Sequence, residues 1–170
     1  MERRDQVLAV FLDALGIGSD DLATFDGRKR LQKAIYLVEQ APFNRDFGFR
    51  YNLYIRGPYC SELADAGYRL LADQKGWVEA RAQLRLSEDC AADLASIRSA
   101  FGEKQGGRLD HELLELAATA HFLFHHTFGY IENTTDRRTA VAAWVNENKP
   151  GLKGILEEAV GKLVALAMIA

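Results

Sequence analysis

The spacing of apolar residues predicts helices in the first part of the chain. Over residues 4–15, apolar side chains recur every three to four positions, which is the period of an amphipathic helix. A second stripe of this kind follows Asp26, a residue type that favours helix N-caps, and ends before Pro42. The pattern therefore predicts two helices that each bury one face.

Helical periods return after Ser87, which is a good N-cap residue, and continue to the end of the chain. The predicted helices cover about 88–101, 110–128, 135–147 and 152–168. Segments 102–107 and 149–151 contain glycine or proline and break the pattern. The C-terminal part is therefore predicted to be a helical bundle.

Two segments between these helical regions alternate between apolar and polar residues, which is typical of strands. The first is 47–56, where phenylalanine, tyrosine, leucine and isoleucine share one face. Gly57 is expected to end this strand, and Pro58 to begin the next helix. The second segment, 77–86, predicts a long strand or a hairpin; no glycine marks a turn within it.

This order of elements predicts an α+β protein that is mostly α. Over about 1–101, two helices are followed by short strands and a further helix, which is the outline of a winged-helix-like part. About 102–170 would be the helical part of the same single domain, 1–170, a length usual for one domain. A winged helix serves both DNA and protein partners, so the outline alone does not select a function.

Composition narrows the function classes. The net charge of -3 does not favour a general attraction to nucleic acid. No apolar run approaches the roughly 20 residues of a membrane span, and the polar N-terminus does not resemble a secretory signal. Cys60 and Cys90 are too few for a zinc site of four cysteines. We therefore expect a cytoplasmic protein with free thiols, no cofactor and no membrane partner.

Three motifs resemble known bacterial families. Residues 30–37 read RLQKAIYL and look like the LQKLIYL helix of the YwgA-like proteins. Residues 54–63, with Gly57-Pro58-Tyr59 at their centre, resemble the GPYS motif of that family. Lys149-Pro150 and the helix after it resemble its C-terminal KP turn. The Panacea antitoxin domain is similar, with its own LQK helix and GP turn.

The resemblance covers roughly residues 5–165 and implies a function without catalysis. Panacea-like proteins neutralise toxins by binding them, whereas most YwgA-like proteins have no assigned activity. The resemblance therefore implies protein–protein recognition, as an antitoxin-like or accessory protein of a bacterial toxin–antitoxin or defence system. This sequence departs from the family in having Cys60 where a small or hydroxyl residue is usual.

The concentrated basic feature is a cluster on the second predicted helix, formed by Arg28, Lys29, Arg30 and Lys33. It admits two interpretations. A winged-helix transcriptional regulator would use the cluster against DNA phosphates. The other interpretation is a solvated basic face, which the acidic total favours. The helix after Pro58 would carry Glu62 and Asp65 outward, where a DNA-reading helix carries basic or amide side chains.

A protein-binding surface is the favoured alternative, because aromatic residues beside arginine are common at the centres of interfaces. Trp77 could face outward, or cover the edge of the core. The predicted partner-binding residues are Arg28, Lys29, Lys33, Tyr36, Tyr54, Arg56 and Trp77.

Two further candidates for chemistry carry less support. His121 and His125 lie four positions apart, so one helix face could present both to a metal ion, but the Glu of the zincin motif is missing. A metal-dependent enzyme is therefore a distant alternative. Cys60 and Ser61 follow Gly57-Pro58 at a turn where a nucleophile could be exposed, but no histidine stands at a recognisable spacing. We expect no catalytic and no metal residues.

Overall fold

The computed structural model describes residues 1–103 and 107–170, which are mostly helical with one small sheet. In chain order, the elements are α1 (Arg3–Ala14), α2 (Ser19–Leu22), α3 (Phe25–Glu39), β1 (Asn52–Tyr54), β2 (Gly57–Tyr59), α4 (Ser61–Ala72), α5 (Gln74–Gln83), α6 (Glu88–Phe101), α7 (His111–Phe122), α8 (Thr134–Asn148) and α9 (Leu156–Ala165). A π-helical turn, Leu123–Thr127, continues α7. The predicted class, α+β and mostly α, is confirmed. Of the predicted break at 102–107, residues 104–106 lie outside the described residues.

Side-chain caps define several helix starts. The Ser87 hydroxyl accepts a hydrogen bond from the Cys90 N–H at 3.3 Å and begins α6 where the sequence predicts it. In α3 the N-cap is Thr24, whose hydroxyl accepts from the Gly27 N–H at 3.0 Å. The predicted helix was confirmed, but Asp26 lies in its first turn and is not its cap.

The strand predicted over 47–56 was mostly wrong, since only Asn52–Tyr54 forms one. The preceding backbone bonds to a side chain: Glu39 Oε1 accepts from the N–H groups of Phe47 and Phe49 at 2.8 and 3.2 Å. An alternating pattern predicts a half-buried extended segment, but a strand also needs a neighbouring strand to pair with. Here the Glu39 carboxylate accepts the hydrogen bonds that a neighbouring strand would otherwise accept.

The helix predicted from Pro58 begins at Ser61, because Gly57-Pro58 forms the second strand of a hairpin. Tyr54 pairs with Gly57 across a two-residue turn, and the strands are antiparallel. Gly57 has φ +86°, and a Cβ there would lie 2.5 Å from Thr119 Oγ1 of α7. Glycine is thus required for both the backbone conformation and the close approach to α7.

The strand or hairpin predicted over 77–86 was wrong, because residues 77–83 belong to helix α5. Asp73 caps α5 through a hydrogen bond from the Gly76 N–H at 2.9 Å. Helix α5 packs on α1 and buries Trp77, which is 4% exposed, while Val78 is 64% exposed. In the predicted strand, the alternating pattern would instead place Val78 on the buried face and Trp77 on the exposed face. Alanine, glutamine, glutamate and arginine fill much of the segment and favour a helix.

The core is centred on α3 and α7, which pack against each other and are buried on most sides. Helix α7 also contacts α9 and strand β2, so the hairpin rests directly on the central helix pair. One continuous hydrophobic cluster runs from Leu8 of α1 to Ile169 near the C-terminus. None of the described helices is both long and apolar enough to cross a lipid bilayer.

Candidate binding surface

The basic residues of α3 are mostly buried. Lys29, Arg30 and Lys33 expose only 8%, 7% and 2% of their surface. For these residues, both interpretations of the basic cluster were wrong, since phosphate contact and a solvated face each need exposed cations. The side chains bond within the fold instead; for example, Arg30 Nε donates to the Leu109 carbonyl at 2.6 Å. Arg28 is half-buried.

Glu115 of α7 is the centre of a buried charge network. Its carboxylate accepts hydrogen bonds from Lys29 Nζ at 3.1 Å and from Lys149 Nζ at 2.6 Å. The Arg56 Nη1 atom lies 4.0 Å from Glu115 Oε2. Burial by itself would raise the pKa of Glu115, but the hydrogen bonds and charges of the two lysines outweigh it and hold the pKa below its usual value. Glu115 is therefore ionised at neutral pH.

Lys33 lies in the same network but donates to a backbone carbonyl. Its Nζ is 2.5 Å from the Pro58 oxygen. Burial lowers the pKa of Lys33 to about 7; the charge of Glu115 opposes this shift, and the two neighbouring lysines add to it. The network thus brings three lysines around one carboxylate, and it is short of negative charge.

Side chains from distant segments hold the hairpin in place. Gln32 Nε2 donates to the Cys60 carbonyl at 2.8 Å, and the Cys60 N–H donates to Gln32 Oε1 at 2.9 Å. Lys149 Nζ donates to the Ile55 carbonyl at 2.7 Å. With Lys33 on Pro58, these bonds fix the backbone on both sides of the hairpin turn.

The three sequence motifs therefore meet in space: the LQK helix, the Gly57-Pro58 turn and the KP turn. Each motif is visible in the sequence, but the sequence predicted no site role for Gln32, Glu115 or Lys149. The sequence did carry a signal for buried polar contacts, because Gln32 and Lys149 are polar residues within otherwise apolar motifs. Nothing in the sequence, however, indicated that they contact one another.

A cleft of about 310 Å³ opens beside the hairpin, between α3 and α4. Its lining residues are Phe25, Arg28, Lys29, Leu31, Gln32, Lys33, Arg56, Tyr59, Ala64 and Tyr68. Two arginines stack on its aromatic rim: the guanidinium carbon of Arg28 is 5.7 Å from the Tyr68 ring centroid, and that of Arg56 is 5.2 Å from Phe25. The cleft is thus both basic and aromatic.

The hairpin turn carries apolar side chains into solvent next to this cleft. Ile55 is 90% exposed and Tyr54 is 56% exposed. The predicted outward position of Tyr54 is confirmed, and its ring packs edge-on against Tyr59 at 5.4 Å. Of the predicted partner-binding residues, Arg28, Tyr54 and Arg56 therefore lie at one accessible surface.

Tyr36 and Trp77 do not have the exposure that a partner-binding residue requires. Tyr36 is 1% exposed and its ring lies between α3 and α7, where its hydroxyl shares a 2.8 Å hydrogen bond with His121 Nδ1. Trp77 covers the edge of the core between α5 and α1, the alternative that the sequence left open. Neither side chain is accessible to a partner in this structure. The same holds for the ammonium groups of Lys29 and Lys33.

His121 of α7 and His125 of the π-helical turn are engaged within the fold. Burial, with smaller effects of the neighbouring histidines, lowers the pKa of His121 to about 3, so this ring is neutral and bonds to Tyr36. His125 Nε2 donates to the Met168 carbonyl at 2.8 Å. Within residues 1–103 and 107–170, no group of three or more histidine, cysteine, aspartate or glutamate residues is placed to hold a metal ion.

Cys60 is buried at 4% exposure, and Gln32 occupies its backbone groups. A thiol in this position is not accessible to a substrate.

Comparisons with protein-family models, curated proteins and solved structures found no significant match to this chain. The resemblance to the YwgA-like proteins and the Panacea domain therefore stays a prediction, based on the motifs alone.

Proposed function

We propose that the chain is a non-catalytic protein-recognition module, antitoxin-like or accessory in a bacterial toxin–antitoxin or defence system. The observation that carries the recognition role is the hairpin tip, where Ile55 is 90% exposed beside the half-exposed Tyr54. Apolar side chains displayed together on a soluble domain mark contact sites for other molecules. The antitoxin-like kind of function rests on the motif resemblance.

The rigidity of the hairpin supports this proposal. A flexible exposed loop loses conformational entropy on binding, which weakens the complex. This hairpin is held beforehand by buried side chains, since Lys33 bonds to Pro58 and Lys149 bonds to Ile55. The tip is therefore preorganised to meet a partner.

The surroundings of the tip have the composition of an interface centre. Phe25 and Tyr68 are 55% and 54% exposed on the cleft rim, and arginines stack on both rings. Tyrosine and arginine are enriched among the residues that dominate binding energy at interfaces. We call this region, formed by Phe25, Tyr54, Ile55, Arg56 and Tyr68, the hairpin–cleft surface.

The alternative function, a DNA-binding regulator, has less support. A DNA-binding regulator would contact phosphates through the basic cluster. Within that cluster, Lys29, Arg30 and Lys33 are buried and bonded within the fold, so they cannot reach a phosphate in this structure. The outward face of α4 carries Glu62 and Asp65, which would repel phosphates. The winged-helix-like arrangement of residues 1–101 stays a prediction, and α5 lies where its wing was expected.

The test uses hairpin variants with matched controls. Tyr54→Ala with Ile55→Asp removes the apolar tip. Tyr130→Ala with Val78→Asp makes closely similar changes at sites elsewhere that are 78% and 64% exposed. Tagged wild-type and variant chains are used to capture proteins from the bacterial host, followed by quantitative mass spectrometry. We expect a partner that wild type and control retain and the hairpin variant loses, by roughly tenfold or more.

A partner captured equally by all three chains would contradict the proposed surface. Turnover of a nucleotide or an ADP-ribosylated substrate by the pure protein would contradict the non-catalytic role. Tight binding of mixed duplex DNA that weakens steeply with salt, measured by fluorescence anisotropy, would favour the regulator instead.

A further inference from the structure

The cleft of the hairpin–cleft surface has an excess of positive charge. Arg28 and Arg56 line it with accessible guanidinium groups, whereas Lys29 and Lys33 have their ammonium groups buried in its wall. None of its described lining residues is a carboxylate. Glu115 lies behind it and is already shared by Lys29 and Lys149. A cleft with this imbalance attracts a negatively charged group.

Other carboxylates near the cleft lie outside its lining. Asp26 follows the lining residue Phe25 in the chain and lies 3.6 Å from His111 Nε2. Asp65 lies near Tyr59, whose pKa is raised mainly by burial and further by the Asp65 charge. These groups leave the interior of the cleft without a negative charge of its own.

Two arginines have hydrogen-bond donors to offer. Arg28 donates through Nη1 to the carbonyls of Leu22 and Ala23, both at 3.0 Å, and its Nε and Nη2 donate to no described residue. The Arg56 side chain is 60% exposed and donates no hydrogen bond within the described residues; its contact with a carboxylate there is the long one of 4.0 Å from Nη1 to Glu115 Oε2. A guanidinium in this state is suited to a planar, bidentate acceptor such as a carboxylate.

We propose that the cleft binds an acidic side chain of an extended segment of the protein partner, with Arg56 and Arg28 on its carboxylate. An aromatic or aliphatic side chain beside that acidic residue would pack against Tyr59 and Tyr68. This inference rests on the proposed function and names the chemistry of the partner: an acidic peptide segment that also carries an apolar residue.

Size and surroundings favour a peptide segment over a free small anion. A volume of about 310 Å³ lies at the lower end of the roughly 300–1,000 Å³ of ligand pockets, so it suits one or two side chains. The exposed apolar tip continues directly from the cleft, because Tyr54 and Ile55 precede Arg56 in the hairpin. A small anion within the cleft would leave that tip uncovered, whereas a longer segment would cover both.

The experiment follows backbone amide shifts of the ¹⁵N-labelled full chain by NMR. The probes are three blocked pentapeptides that place two glutamates, two glutamines or two lysines around one phenylalanine, and adenosine monophosphate as a small aromatic anion. We expect the glutamate peptide to shift the amides of Arg28, Tyr59 and Tyr68 more than the other probes do. Its affinity should be roughly tenfold higher than that of the glutamine peptide, a difference of about 1.4 kcal/mol in binding free energy.

Arg56→Glu is the test variant and Arg50→Glu is its control. Arg50 is exposed and has no hydrogen bond or ion pair within the described residues, so the two variants change the net charge equally. Arg56→Glu is expected to lower the affinity for the glutamate peptide by roughly tenfold, and Arg50→Glu by less than about twofold. Arg56 makes no hydrogen bond and approaches Glu115 only to 4.0 Å, so the spectrum of the variant should match wild type away from the cleft and the Glu115 network.

Equal shifts with the glutamate and glutamine peptides, or tighter binding of adenosine monophosphate at the cleft, would overturn this inference. If that happened while the hairpin variants still lost their partner, the proposed protein-recognition function would stand without the acidic-segment inference. Glutamate-specific shifts together with partner capture that ignores the hairpin variants would overturn the proposed function instead.

Discussion

Lys33 shows at the scale of one residue how burial alters a charge. Its ammonium is enclosed beneath the hairpin, donates to Pro58 and has a pKa of about 7 instead of 10.5. A neutral amine still carries N–H donors, so loss of the proton preserves the bond to the hairpin. The residue therefore holds the hairpin in either protonation state, but its charge affects folding stability.

We expect Lys33 to make stability rise with pH. Between about pH 7 and pH 10.5, the unfolded chain binds a proton that the folded chain does not, so the free energy of unfolding increases by up to about 1.4 kcal/mol per pH unit. Below about pH 7 both states are protonated and this contribution is constant. Lys33→Met should remove the rise, as measured by urea unfolding at several pH values between about 6 and 9.

The control for this prediction is Lys75→Met, since the Lys75 side chain is 87% exposed. Its stability curve should run parallel to that of wild type. A Lys33→Met curve that also ran parallel would show that the Lys33 pKa is not lowered by folding.

At the scale of elements, the close packing of α2 against α3 positions one wall of the cleft. A Cβ on Gly27 would lie 1.8 Å from the Asp21 backbone oxygen, so the two helices can approach only with glycine at this position. Arg28, the next residue, bonds to the carbonyls of Leu22 and Ala23 at the end of α2. The position of α2 therefore determines where the Arg28 guanidinium lies.

Gly27→Ala should destabilise the protein by about 1–3 kcal/mol or more, because the added methyl group forces α2 away from α3. Gly161→Ala is its control in α9, where a Cβ would meet nothing within 4 Å. That change should stabilise by about 0.5–1 kcal/mol, the usual gain of alanine over glycine within a helix. Urea unfolding of both variants measures the contrast, and equal effects would contradict the packing argument.

At the scale of the whole molecule, Glu115 joins segments that are far apart in the chain. It pairs with Lys29, 86 positions before it, and with Lys149, 34 positions after it. Lys149 in turn bonds to the Ile55 carbonyl in the hairpin. One buried carboxylate thus connects α3, α7, the KP turn and the candidate binding surface.

Glu115→Gln should cost about 3–5 kcal/mol of unfolding free energy, because it leaves two buried lysines without their counter-ion. Adding Lys29→Met should recover part of this loss by removing one unpaired charge. Glu158→Gln breaks a partly exposed ion pair with Lys162 and should stay within about 0.5 kcal/mol of wild type. A Glu115→Gln variant as stable as wild type would show that the network does not support the fold.

Local signals in the sequence were sufficient to predict where most of the helices lie. Ser87 begins α6 through its own side chain, and an apolar stripe defines the buried face of α3, so neighbouring residues settled these elements. The exposed positions of Tyr54 and Arg56 could also be predicted, because both lie on the polar face of an alternating segment beside a turn.

Tertiary contacts decided the rest. Residues 47–51 alternate as a strand does, but Glu39 takes their backbone bonds, and residues 77–83 become a helix that buries Trp77 on α1. The basic cluster of α3 looked solvated because the partners of its buried members, such as Glu115 for Lys29 and the Leu109 carbonyl for Arg30, are distant in the chain. The sequence by itself determined periodicity, caps and turns, which depend on residues a few positions apart; burial and charge pairing depend on segments that meet only in the folded molecule.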